Sequence, residues 1–436
     1  MSHEPPAQHQ GAAGPVTLAV LGAGSRGTGY ARIAQAQGAR VVAVADPDPV
    51  ARQRLAADHG IAAEHVYEDW RALLAQERLA DAVVVATPDR DHVGPVVAAA
   101  GRGYDILLEK PMAPTETDAR LIVEAAERSG VLLTVCHVLR YTTYTRAIKE
   151  IVDSGEIGTI ASIEHLEPIG WWHFAHSYVR GNWAREAESS SMLLAKSSHD
   201  LDWLSHIVAQ PVRRVSSFGS LLEFRPENKP AGAGSRCVSC PVEPTCAYSA
   251  PRIYHRFLGD PVHERWPLQV VTAEPSRENL DEALESGRFG RCVYDGQNDV
   301  VDHQVVSIEY ASGATASFTV VAFTELAFRR TKIFGTRGYL EGDGQTITVH
   351  DFLTDTGRVI DASGGGGASA ADGHGGADEE LVRAFLHAVA RDDDTVVLSS
   401  ARTSLDTHRI VWAAERSRRD GVVIEMADEA HAWAAL

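Results

Sequence analysis

From Val16 to about Val135 the chain alternates short, β-branched apolar runs with longer stretches of helical character. VTLAVL precedes a helix to about Gln37, VVAVA a helix to about Asp58, DAVVVA a helix from Asp91 to Ala100, and DILLE a helix from Thr115 to Arg128; VLLTVC closes the series. Near-continuous apolar strands separated by helices describe a parallel sheet covered on both faces, because a strand buried on both sides cannot alternate polar with apolar positions. Residues 16–150 are therefore expected to form a doubly wound α/β domain. Beyond about Ile151 the rhythm changes to longer runs, TIASIEHL, VVSIEYA, ATASFTVVAF and RTKIFG. Their pattern predicts an α+β domain over 151–436 with a mainly antiparallel sheet. Helices are expected from Met192 to Val208, Glu379 to Ala390 and Ser400 to Ser417. Pro, Gly and Cys punctuate residues 225–300, which read as a Cys-rich insertion, and Gly364 to Gly376 read as a low-complexity loop.

Composition narrows the partners. The 436 residues carry 41 basic and 59 acidic side chains, a formal charge of −18, which opposes a broad interaction with nucleic acid or anionic lipid. Without a run of about 18 apolar residues, a membrane span is not expected. Residues 1–15 are polar, without a secretory layout, and are expected to be a disordered tail on a cytoplasmic protein.

TLAVLGAGSRGTGYARIA sets Gly22, Gly24 and Gly27 in G-x-G-x-x-G spacing after an apolar strand and before a helix, with Ser25 and Arg26 between the last two glycines. The first glycine suits a tight turn, the second the approach of a pyrophosphate to backbone N–H groups, and the third the packing of helix on strand. Asp46 ends VVAVA about 20 residues on, where a carboxylate accepts hydrogen bonds from adenosine ribose hydroxyls and repels a 2′-phosphate. The expected cofactor is NAD. Arg26 leaves NADP as an alternative, since a guanidinium near the pyrophosphate can also reach a 2′-phosphate. Thr87 and Pro88 of ATPDRDH, and Glu109, Lys110 and Pro111 of DILLEKP, end two further parallel strands and belong to the same sheet edge.

Taken together, GAGSRG, ATPD with His92, EKP and a later SHDLDWL resemble the glucose-fructose oxidoreductase and myo-inositol dehydrogenase family, Gfo/Idh/MocA, from Val16 to about Glu425. The resemblance implies an amino-terminal Rossmann domain, a carboxyl-terminal domain with an open antiparallel sheet, sugar or polyol substrates, and homo-oligomers (dimer or tetramer) paired through that sheet. It gives Lys110 the role of reaching the reacting hydroxyl and the nicotinamide ribose, and His199 that of the base removing the hydroxyl proton. Thr87, Pro88, His92 and Glu109 join the glycine loop and Asp46 as expected cofactor contacts.

One departure stands out. Many relatives carry an aspartate four residues before the histidine, where this chain has Ala195, and the next residue, Lys196, places a cation near the imidazole. Lys196 is expected to serve as a base, if desolvated, or as an electrophile stabilising an oxyanion. The departure keeps open a redox-neutral reaction in which tightly held NAD oxidises a glycoside, an elimination follows, and the hydride returns. A non-catalytic nucleotide-dependent regulator is the alternative of another class. Substrate contacts are expected from Arg140 and Tyr141, from His176, Tyr178, Arg180, Asn182 and Trp183 of WWHFAHSYVRGNW, and from Asp200, a set of flat faces and planar hydrogen-bonding groups suited to a sugar.

Cys237-x2-Cys240-x5-Cys246, with Cys292 further on, can supply four thiolates in a Pro-rich segment. The spacing suggests structural zinc, with an iron–sulfur cluster or free thiols as the other readings.

Overall fold

The computed structural model describes residues 14–365 and 374–426. Residues 1–13 of the expected tail and 366–373 of the expected glycine-rich loop lie outside the described residues. The chain divides into two compact units, residues 1–141 with 377–405 and residues 142–376 with 406–436.

The first unit is built on six parallel strands: β1 (Thr17–Leu21), β2 (Arg40–Ala45), β3 (Val66–Tyr67), β4 (Ala82–Val85), β5 (Asp105–Leu108) and β6 (Leu133–Val135). Their order is β3-β2-β1-β4-β5-β6, which reverses direction on either side of β1. All four residues of β4 are buried, as an apolar run without alternation requires. Local signals set the connecting helices. Asp48 caps Pro49–His59 by accepting from the Val50 and Ala51 amides, and Gly60 ends it at φ 65°. Thr115 and Gly130 do the same for Glu116–Ser129.

The expected boundaries, 16–150 and 151–436, differ from the observed division because the helix Ala377–Arg391 returns to the first unit. Its apolar stripe, Ala377, Leu381, Val382, Phe385 and Leu386, joins one buried cluster with Tyr30, Val138 and Tyr141. An amphipathic helix folds where its apolar face can be covered, whatever the distance along the chain.

The second unit carries a nine-stranded sheet of β7 (Ile160–Pro168), β8 (Val212–Ser220), β9 (His303–Tyr310), β10 (Thr315–Val321), β11 (Arg330–Gly335), β12 (Gly338–Gly342), β13 (Thr346–Asp351), β14 (Thr356–Asp361) and β15 (Ile424–Glu425). The order is β14-β13-β12-β11-β7-β10-β9-β8-β15, and only β7 and β10 pair in parallel. Burial alternates along β9, so one face of the sheet is covered, in part by the helix Met192–Val208 against β7 and β10. On the other face the cross-strand neighbours Phe218 and Val305 are exposed. Among the described residues, no helix is long and apolar enough to cross a membrane.

Phe385 has no solvent exposure and tests the return of the late helix to the first unit. Phe385→Ala should cost about 3–5 kcal/mol, read as a fall in thermal or denaturant stability together with weaker NAD binding. A change within about 0.5 kcal/mol would contradict the packing described.

Candidate active site

In the first unit, β1, β4 and β5 run parallel, so the residues following them share one edge of the sheet. Gly22 leaves β1 at φ +102°, and a Cβ there would stand 2.5 Å from the Ala86 carbonyl oxygen. A Cβ on Gly27 would stand 1.9 Å from the Gly22 oxygen, so the turn closes only with glycine at both positions. The helix Ser25–Ala36 starts from Gly24 without a side-chain cap, which leaves first-turn N–H groups for an anion. Asp46 lies beside this loop. Its Oδ2 accepts from the Ala23 amide at 2.6 Å and its Oδ1 from the Asp48 amide at 2.8 Å.

Arg26 departs from its expected role. Its Nε donates to Glu109 Oε1 at 2.6 Å and its Nη2 to Asp378 Oδ1 at 2.7 Å, with Tyr30 Oη as a further partner. Two carboxylates engage the guanidinium, which explains why it turns from the glycine loop toward the protein. Burial alone would raise the Glu109 carboxyl, but Arg26 and Lys110 outweigh it and hold it below the usual range. Glu109 Oε2 also accepts from the Lys110 amide at 2.7 Å, fixing the start of the EKP turn. His92 is fully buried, with Nδ1 2.9 Å from the Pro111 oxygen and Nε2 2.9 Å from the Thr87 oxygen. It ties the EKP turn to the Thr87–Pro88 turn rather than presenting its ring outward. Lys110 is half-buried.

Arg140 and Tyr141 also face inward. Arg140 Nη1 donates to the Leu398 oxygen at 2.6 Å, and Tyr141 Oη accepts from the Leu398 amide at 2.8 Å and lies 3.2 Å from Ser399 Oγ. Both anchor the segment that follows the late helix.

In the second unit, Ser191 caps the helix Met192–Val208, which bears Lys196, His199 and Asp200. His199 is 5% exposed, and its ring centre lies 5.9 Å from that of His374. Lys196 Nζ pairs with Glu167 Oε1 at 2.9 Å. Arg329 Nε lies 2.5 Å from Glu167 Oε2 and 2.9 Å from Asp200 Oδ1, and His165 Nε2 lies 3.3 Å from the same Asp200 oxygen. Arg329 holds Asp200 well below the usual carboxylate range against the upward push of burial. Asp200 thus belongs to a buried chain of alternating charges that runs through Arg329 and Glu167 to Lys196. Burial, reinforced by Lys196, lowers His173 well below the ordinary imidazole range, so this ring is neutral at pH 7.

The aromatic segment reads differently in three dimensions. His176 Nδ1 lies 2.9 Å from Tyr254 Oη, the ring stacks on Phe289 at 4.9 Å, and burial pushes its pKa to about 3. Tyr178 is buried against Phe174. Arg180 reaches backbone carbonyls of Arg291 and Tyr248. Asn182 is exposed and accepts from Arg288 at 3.0 Å, and Trp183 is half-buried. His176, Tyr178 and Arg180 therefore hold the insertion in place, where substrate contacts were expected. The same density of rings that suits a sugar also suits a core. Sequence reasoning missed Glu167, Arg329 and Asp378; the first had a signal, since Glu167 falls on the covered face of β7.

The thiols also differ from expectation. Among the described residues no group of three or more His, Cys, Asp or Glu side chains is arranged to hold a metal ion. Cys237, Cys240, Cys246 and Cys292 line one cavity of about 20 Å³.

Residues 16–137 match the NAD-binding Rossmann fold of the Gfo/Idh/MocA oxidoreductase family, and residues 149–426 match that family's C-terminal alpha/beta domain. A putative oxidoreductase, YteT, from Bacillus subtilis is 27% identical over 60% of this chain and 60% of its own. An inositol 2-dehydrogenase from Streptomyces avermitilis is 32% identical over 46% of this chain and 55% of its own. The chain thus matches less than two thirds of the length of these relatives. The solved structure of an oxidoreductase from Agrobacterium radiobacter in complex with NAD+, L-tartaric acid and magnesium superposes with a TM-score of 0.69 at 19% identity, covering 95% of this chain and 99% of that one, and supports the fold.

Arg26→Met removes the cation shared by Glu109 and Asp378. The variant should lose about 3–5 kcal/mol near neutral pH. A carboxyl with a depressed folded-state pKa contributes stability above its unfolded value that is lost as pH falls through the folded value, so the penalty should shrink as pH falls below the usual carboxylate range and the Glu109 carboxyl protonates. Thermal unfolding of both proteins across pH measures this; a penalty independent of pH would contradict the pairing.

Proposed function

The chain belongs to the Gfo/Idh/MocA oxidoreductase family, and on that footing we propose that it is an NAD-dependent enzyme transferring a hydride to or from a hydroxyl-bearing carbon of a sugar, polyol or glycoside. The observation that carries this reading is the common sheet edge that bears the glycine loop, Asp46 and Lys110. Gly22, Gly24, Ser25 and Gly27 would hold the pyrophosphate on backbone amides, and Asp46 the adenosine ribose, which its Ala23 and Asp48 contacts orient. NAD is favoured over NADP by the Asp46 carboxylate and by the engagement of Arg26 with Glu109 and Asp378. The bound nicotinamide supplies the hydride acceptor and donor.

Lys110 supplies an ammonium that orients the reacting hydroxyl and stabilises alkoxide character as the C–H bond weakens. His199 accepts the hydroxyl proton, a role supported by its place on the helix stabilised by the Asp200–Arg329 pair. Asp200 is thereby a positioning residue. The Lys196–Glu167 pair one turn before His199 favours keeping one second reading, in which an oxyanion formed during oxidation, elimination and reduction of a glycoside is stabilised there. Cytoplasmic residence fits five unpaired cysteines. Association into homo-oligomers is supported by exposed Phe218 and Val305, and the mass of the purified chain in solution checks it.

Lys110→Ala should lower kcat about 10²–10³-fold while the NAD dissociation constant stays within about twofold. Steady-state kinetics with cofactor titration separates the two, and an unchanged kcat would remove Lys110 from the chemistry.

A further inference from the structure

An open cleft of about 600 Å³ in the second unit is lined by Trp171, Tyr248 and Phe323, by Arg252 and Arg256, and by Glu325. Strand pairing explains where it forms. β7 and β10 run parallel with Pro168 opposite Val321, so the residues after both strands leave the sheet together. The Trp171 amide donates to the Thr324 carbonyl at 2.8 Å and the Gly170 amide to Thr324 Oγ1 at 3.2 Å, which holds the two turns side by side. The fully buried Phe224 stacks on Phe323 with ring centres 6.0 Å apart and meets Tyr248 edge-on at 4.8 Å. Tyr248 in turn meets Trp171 edge-on at 6.3 Å. The three lining rings are thus held in place, and their apolar faces are of the kind that take the C–H face of a sugar ring.

The cations of the cleft come from one helical turn. Arg252 lies on the helix Ala250–His255 and Arg256 follows four residues on, so both side chains leave the same face. Arg252 Nη2 donates to the Pro244 carbonyl at 2.6 Å, and its Nε and Nη1 have no protein partner among the described residues. The Arg256 guanidinium lies over the rings of Phe257, Trp171 and Trp172, 4.4, 5.1 and 5.4 Å from their centres, and forms no hydrogen bond or ion pair among the described residues. The rings desolvate part of it and lower its pKa, with no carboxylate to raise it. Like charges one turn apart repel, and an anion between them removes the repulsion. Glu325 is exposed and pairs with neither arginine. Two cations and one carboxylate leave the cleft a single net positive charge, which suits a monoanion. The Glu325 carboxylate accepts from sugar hydroxyls and repels a dianion such as a phosphate monoester.

We propose that this cleft binds an acidic sugar, a ring bearing one carboxylate. The ring stacks on Trp171 and Phe323, the carboxylate accepts from Arg252 and Arg256, and hydroxyls donate to Glu325. Charge-assisted hydrogen bonds and a buried apolar ring face supply the affinity, and no bond is made or broken. The helix that carries His199 packs on β7 and β10, the two strands whose ends build the cleft. The inference deepens the reading of this chain as a carbohydrate oxidoreductase by naming an acidic class of sugar, and it rests on that reading for turnover alone. Binding is measured without NAD, so its failure and a failure of hydride transfer are told apart.

The experiment titrates the full chain calorimetrically with D-glucuronate, D-galacturonate, D-glucose and D-glucose 6-phosphate. At least one of the two uronates should bind with a dissociation constant near or below about 1 mM, and glucose at least about tenfold more weakly. Arg256→Gln and Trp171→Ala should each weaken the uronate about tenfold. Glu325→Gln should instead strengthen glucose 6-phosphate several-fold relative to the uronate, a change of selectivity that loss of folding does not produce. Absence of binding by both uronates up to about 20 mM, glucose binding as tightly as the uronate, tighter binding of the phosphate ester by the unaltered chain, or a uronate affinity indifferent to Arg256→Gln would each overturn the proposal.

Discussion

Removing a charged side chain from water is expensive unless an opposite charge meets it, and three guanidinium groups show how this chain is arranged around that cost. Arg26 is met by Glu109 and Asp378, Arg329 by Glu167 and Asp200, and Arg180 by sulfur and carbonyl oxygen. Each joins segments far apart in the chain. The first gathers the glycine helix, the EKP turn and the start of the late helix Ala377–Arg391. The second ties β7 to the helix that carries His199. The third fastens the aromatic segment to the cysteine-rich insertion. The chemistry proposed for this protein depends on those three junctions, because each sets the backbone from which a reactive or binding group projects.

The first junction explains why the nucleotide half is compact although its sequence is split. A helix more than two hundred residues downstream supplies both the apolar stripe that completes the core and the carboxylate that completes the ion pair. Neutralised in this way, the guanidinium leaves the uncapped helix N-terminus and the Asp46 carboxylate as the features presented by the glycine loop. An amide-lined anion site beside a carboxylate is what an NAD-type dinucleotide requires, phosphate on the one and ribose hydroxyls on the other.

Local rules made much of this legible from sequence. The β-branched runs, the capping Asp48 and Thr115, the terminal Gly60 and Gly130, and the G-x-G-x-x-G spacing each act within a few residues, and the strands, helices and turns fall where those rules put them. The helices expected at Glu379–Ala390 and Ser400–Ser417 appear as Ala377–Arg391 and Ala401–Asp420. What the sequence concealed was partnership. Asp378 lies 352 residues from Arg26, and nothing along the chain links them. His176, Tyr178 and Arg180 show a related point: rings and planar donors suited to a sugar here pack against Phe289, Phe174 and backbone carbonyls. Composition does not distinguish the two, since only the tertiary neighbours decide which face is wet.

The central claim is net hydride transfer from a carbohydrate or polyol to NAD. It is tested most directly by incubating the purified chain and NAD with a panel of free sugars, inositols and glycosides while following NADH absorbance and released aglycone together. The account predicts that NADH accumulates in step with loss of at least one polyol or sugar. Aglycone release with NAD needed only in catalytic amount, or no NADH from any member of the panel despite measurable NAD binding, would contradict it.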